Sequence, residues 1–244
     1  MTSTSRSILT TSVAALCGLA AASASANSAM APARYQVVFE RTWSADTHPQ
    51  DFPLLAHFSP VIGVTHNGSY EPFRAGATAT PGLERLCEEG KHQPLDGEIR
   101  AAVARGDAGA LIETSDPLRS VPQQASASFE IDATHPMVSI AAMIAPSPDW
   151  CAIAADVALF ENGEWVAKKT LSLEAWDAGT DSATSYRALD SDTQPHTPIT
   201  RSGFCCFSRR SRPSSEKTLC SAPARTLQVL TSTTSACSSL SAGS

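Results

Sequence analysis

From Tyr35 to Trp43 the chain alternates. Tyr35, Val37, Phe39, Arg41 and Trp43 fall on one side, with Gln36, Val38, Glu40 and Thr42 on the other. A period of two predicts a strand with one buried face. The next stretch, Ser44 to Gly76, is rich in Pro, His, Gly and Asn and reads as long ordered loops with short extended pieces. Two short helices are expected at Leu83 to Glu89 and Leu95 to Arg105. In the second, Ile99, Ala102 and Val103 have helical spacing and Gly106 sits where a C-cap is wanted. Alternation returns at Ala127, Phe129 and Ile131. Met137 to Ala145 is nearly continuous in apolar residues and suits a central strand. Cys151 to Glu161 predicts another strand, and Asn162-Gly163 a hairpin turn into Trp165 to Leu173. At least five strands with little helix argue for an all-β antiparallel sandwich with short helical inserts.

The two ends of the chain fall outside this pattern. Arg6, an uncharged run from Ile8 to Ala22 and the small-x-small triplet Ala24-Ser25-Ala26 have the form of a signal peptide over residues 1–26. The domain is therefore expected over 27–200, exported, and with no membrane span in the mature chain. From Arg201 the composition changes: Ser and Thr supply 17 of the last 44 residues. Such a stretch, 201–244, cannot bury much apolar surface and is expected to be a disordered tail or an out-of-frame ending. Only Thr226 to Thr231 has a strand-like pattern there.

Charge sharpens the picture. Of 18 basic residues, six lie from Arg201 onward and Arg6 in the leader, leaving 11; of 24 acidic residues only Glu216 lies in the tail, leaving 23. Residues 27–200 thus carry a net charge of -12, the wrong sign for nucleic acid and the right one for a cation or a solvated extracellular surface. Cys87 and Cys151 are the two cysteines of this region; one disulfide and two buried thiols fit equally well.

The candidate chemistry is carboxylate. Asp177 and Asp181 flank Gly179, which permits a tight turn, and Asp149 follows a Pro-Ser-Pro segment between two strands. If those strands pack as a sandwich, Asp149 reaches the same edge. Three carboxylates without His or Cys favour calcium, which takes six to eight oxygens in flexible geometry. Turn-forming or capping aspartates account for the same pattern.

These segments carry a family resemblance. The Tyr35 to Phe39 strand, Trp43-Ser44, His48-Pro49, Phe58-Ser59-Pro60, Gly63 with His66-Asn67, and Gly82-Leu83 occur in order. They are followed by the Met143-to-Trp150 block with its Pro-Ser-Pro-Asp-Trp, then Trp165, Trp176-Asp-Ala-Gly-Thr-Asp-Ser182, and Pro198-Ile199. Over Tyr35 to Thr200 the chain resembles the N-terminal spondin domain of F-spondin, mindin and bacterial secreted proteins. That resemblance implies a C2-like antiparallel β-sandwich in which Asp149, Asp177 and Asp181 bind calcium. Cys151 departs from the family, which tends to have an aromatic residue there.

Other residues have plainer readings. His48, His57 and His66 suit loop hydrogen bonding, Trp150 and Trp176 are expected as core anchors, and Glu88-Glu89 as a solvated helix face. Asn67-Gly68-Ser69 is a formal glycosylation acceptor. No Gly-x-Ser-x-Gly, His-Glu-x-x-His or phosphate loop is present. The expectation is a non-enzymatic, secreted adhesion or interaction module for an extracellular protein or surface ligand. A structural envelope or matrix role, with calcium as a staple, stands second. A metal-dependent extracellular hydrolase stands third.

Overall fold

The computed structural model of the chain describes residues 30–48 and 52–201, and the backbone of 225–231. The expected leader, 1–26, lies outside these residues. Alternation turns into pairing at β1 (Ala33–Arg41), whose Tyr35, Val37, Phe39 and Arg41 all face inward. β1 pairs antiparallel along its length with β5 (Gln123–Ile131), Tyr35 opposite Phe129 and Arg41 opposite Gln123. On its other side runs β13 (Arg225–Thr231), itself flanked by β10 (Lys168–Ser172), which gives the order β10-β13-β1-β5. The strand-like pattern at Thr226 to Thr231 is thus a strand, lying beyond the boundary drawn at Thr200. Residues 202–224 and 232–244 lie outside the described residues.

The second sheet is built from β3 (Ile62–His66), β4 (Ala108–Glu113), β6 (Met137–Ala145), β7 (Trp150–Ala158), β11 (Glu174–Asp177) and β12 (Thr200–Arg201). Their order is β12-β11-β7-β6-β3-β4, with β2 (His57–Phe58) paired to the end of β6. Its pairings are antiparallel. β8 (Phe160–Glu161) and β9 (Glu164–Trp165) form the expected hairpin, Asn162 and Gly163 both taking positive φ (53° and 85°), as a two-residue primed turn requires.

The nearly continuous apolar run of β6, broken only by Ser139, has a reason: both faces are covered. Val138, Ile140, Ala142 and Ile144 enter the core shared with the first sheet. Ala141 enters a second core beneath the helices α1 (Pro81–Glu89) and α2 (Leu95–Arg105). Trp150 and Trp176 anchor these two cores separately, as buried residues of neighbouring strands. Thr80 caps α1 by accepting from the Leu83 N–H, and Pro81 starts it two residues earlier than expected. α2 spans its expected residues, but Val103 of its stripe is exposed while Ile99 and Ala102 are buried. Cys87 and Cys151 form a disulfide joining α1 to β7.

β2 and β3 are among the short extended pieces expected between Ser44 and Gly76, whereas β4 lies where no element was expected. All five residues of β3 are buried, so no polar face interrupts them to mark a period of two.

Candidate functional site at the aspartate end

One end of the sandwich gathers four connections: 42–56 after β1, 114–122 between β4 and β5, 146–149 between β6 and β7, and 178–199 between β11 and β12; the helical connection 67–107 between β3 and β4 leaves from the other end. Buried and half-buried aromatics hold the four. Trp43 packs against Phe52, Phe58 and Tyr186 with ring centroids 5.2, 5.5 and 5.7 Å away, and Tyr186 also meets Trp150 at 5.2 Å. Arg41, buried at the end of β1, donates to the carbonyls of Trp43 and Leu118 and so ties two of these loops together.

Register brings the aspartates to this end. Asp149 immediately precedes β7 and Asp177 ends β11, and these strands pair with Asp177 opposite Trp150. Asp149 Oδ2 accepts from the N–H groups of Thr180 (2.8 Å) and Asp181 (3.1 Å), while its carbonyl accepts from Ala178. Asp177 Oδ1 accepts from Gly179 at 3.0 Å. Asp181 accepts from Ala183 (2.6 Å) and Ser191 (3.0 Å), closing the 182–191 loop on itself. All three residues are buried, at 0, 6 and 3% exposure. Gly179 has φ 77°, and a Cβ there would strike the Thr197 carbonyl, whose residue in turn donates its N–H to Gly179 O.

A fourth carboxylate joins from an element that the sequence pattern assigned to solvent. Glu88 of α1 accepts the Thr180 hydroxyl at 2.7 Å. Burial holds the Glu88 carboxyl above its ordinary range; the Thr180 hydrogen bond works the other way, and the charges of Glu84, Asp149 and Asp190 add to the rise. Glu89 does stay at the surface, paired with Arg85 and Lys91. No local signal separates the two; only the packing of α1 on β6 and β7 does.

The donor chemistry suits calcium, since every candidate ligand atom is a hard oxygen. The arrangement itself is of loops more than of oxygens around one point. The carboxylates answer backbone N–H groups, and among the described residues no three His, Cys, Asp or Glu side chains are grouped to hold a metal ion. Calcium would draw these side chains from their present bonds toward a shared ion.

A second constellation lies at the other end. His66 Nε2 is 2.7 Å from Ser139 Oγ and 3.7 Å from Asp156 Oδ1. Its Nδ1 faces the Asn67 carbonyl, which only accepts, so Nδ1 carries a hydrogen. Ser139 also accepts from the Asp156 N–H. Hydroxyl and carboxylate meet the same ring nitrogen. Both His66 and Ser139 are buried, and together they form a hydrogen-bonded core network at a β-bulge. His48 and His57 make loop hydrogen bonds, to Thr47 and to the Leu55 carbonyl.

The family model described as Spondin_N matches residues 33–213. The chain belongs to the spondin N-terminal domain family. Human Spondin-1 is 34% identical over 173 residues, covering 68% of this chain and 21% of that protein. Xenopus laevis Spondin-1 is 35% identical over 177 residues, covering 68% and 21%. Human Spondin-2 is 31% identical over 179 residues, covering 71% and 53%. The chain therefore spans about a fifth of the length of the Spondin-1 relatives and about half that of Spondin-2. The spondin match opens at the first residue of β1 and includes every strand through β12 and all three aspartates; β13 lies beyond it.

Proposed function

We propose that this spondin domain is an exported, non-catalytic interaction module of the extracellular or periplasmic space, with its aspartate end stiffened by one calcium ion held by Asp149, Asp177 and Asp181. The observation that carries this reading is three buried carboxylates on abutting loops that already share hydrogen bonds. Buried negative charge is costly unless donors or a cation offset it. Calcium tolerates irregular sets of carboxylate, carbonyl and water oxygens, and extracellular modules bind it at about 10⁻⁴–10⁻³ M. Export rests on the leader pattern ending at Ala26. No helix among the described residues is long and apolar enough to cross a membrane. An interaction role fits long, rigidly anchored loops at one end of a sheet scaffold, where binding residues commonly sit.

A second reading is favoured by the five backbone N–H groups that the three carboxylates accept: the aspartates lock the loops by hydrogen bonding alone. Calcium titration of chelator-treated protein separates the two. On the calcium reading, heat is released with a submillimolar to millimolar Kd, and millimolar calcium raises the melting temperature because the ion binds only the folded state. Asp177→Asn abolishes both. Silence in the calorimeter with an unchanged melt would leave the hydrogen-bonded lock as the answer.

A further inference from the structure

The aspartate end also carries most of the large hydrophobic side chains that the described residues leave in water. Among the described residues six large hydrophobic side chains are exposed. Leu54, Leu55, Val121 and Leu189 lie on the loops of this end; Met30 and Val103 do not. Leu54, Leu55 and Leu189 are 72, 80 and 90% exposed. Leu55 adds a backbone anomaly, a φ of 66°, in the left-handed region that a branched side chain enters only at a cost. The strained turn is held by His57 Nδ1 on the Leu55 carbonyl at 2.8 Å. Glycine would take this φ freely, and an exposed leucine gains nothing from the core, so folding supplies no reason for leucine at this position.

The leucines stand on firm supports. Leu54 follows two residues after Phe52, and Leu189 three after Tyr186, both of which pack on Trp43. On the loops of this end, exposed Asp46, Asp116, Asp190 and Asp192 outnumber exposed Arg119 and Arg187. Apolar anchors on loops with an excess of carboxylates are complementary to a surface that sets apolar side chains among lysines and arginines. The same excess of carboxylates disfavours an anionic bilayer.

We propose that Leu54, Leu55 and Leu189 anchor a docking surface for a basic protein partner. The proposal deepens the reading of the domain as an interaction module and rests on that part of it, not on the calcium ion. The test uses the full chain in the presence of chelator, so failure of the calcium reading leaves it intact. The probes are a soluble peptide alternating leucine with lysine, its serine–lysine counterpart, and vesicles of phosphatidylcholine with phosphatidylglycerol. The leucine–lysine peptide binds more tightly than its counterpart. Leu55→Gly and Leu189→Ser each weaken it about tenfold, the loss expected for one buried leucine. Leu55→Gly does so with an equal or higher melting temperature, because it releases backbone strain. Asp190→Asn with Asp192→Asn weakens binding and flattens its salt dependence. The surface is overturned if the parent binds neither peptide, if both leucine variants bind like the parent, or if the leucines direct the chain to vesicles in preference to peptide.

Discussion

The two ends of the sandwich reverse the chain by different means. At the hairpin end, Asn162 and Gly163 turn β8 into β9 with two residues, and Asp132 organises the β5–β6 turn by accepting from Thr134 and His135 while remaining half-exposed. At the aspartate end the connections run to as many as 22 residues (178–199); their anchors Trp43, Asp149 and Asp181 are buried and Tyr186 is half-buried against Trp43. Short turns are fixed by backbone conformation. Long loops lose far more conformational entropy on ordering, which only buried rings and satisfied carboxylates offset. A loop so anchored is free to hold costly features at its tip, and Leu55 is one.

If that contrast is right, equivalent changes cost more at the aspartate end. The largest effect is expected for Trp43→Ala, which removes the ring on which two loops rest. Denaturant unfolding should show a loss of about 3–5 kcal/mol. A loss under about 1 kcal/mol would mean the loops are held elsewhere. Glycines come next. Gly179→Ala should cost about 3 kcal/mol, combining a left-handed backbone with collision against Thr197, while Gly163→Ala, with φ 85° and open space around it, costs about 1 kcal/mol. Equal costs at the two sites would erase the distinction between anchored loop and free turn.

Carboxylates give the finer comparison. Asp149→Asn should lose about 2 kcal/mol in thermal melts, since it weakens two buried charge-assisted bonds to the 178–181 loop. Asp132→Asn should lose less than about 1 kcal/mol, because solvent screens its exposed side chain. Asp132 nevertheless has a pH signature. The Thr134 hydroxyl, with the backbone N–H groups of Thr134 and His135, holds its carboxyl below the ordinary range despite partial burial. A folded-state pKa below the unfolded value stabilises above about pH 4 and is lost as pH falls through the folded pKa. The parent should thus lose slightly more stability than Asp132→Asn between pH 4 and pH 2, and a steeper loss in the variant would refute the assignment.

Much of this protein was legible in its residues. The alternation of β1, the hairpin at Asn162-Gly163, α2 with its Gly106 cap and the central position of β6 all follow from local pattern. Where both faces of a strand are buried, as in β3, alternation disappears and the pattern gives no more than a short extended piece within a loop-rich stretch. The alliance of Asp177, Gly179 and Asp181 was visible because it is local. That of Glu88 with Thr180, 92 residues away, was not. Cys87 and Cys151 likewise left pairing open until the fold set their Cα atoms 5.3 Å apart.

By itself the sequence determined the class of fold, the family, and the stock of oxygen donors placed on two particular loops. Those properties depend on periodicity and on residue type, which neighbouring positions report. Only the tertiary structure decided that Asp149 grips the loop from Ala178 to Asp181, that one of two adjacent glutamates faces inward, and that three leucines gather in water at the same end. Each depends on strand register and on how sheet and helix stack, and no local window of residues contains that information.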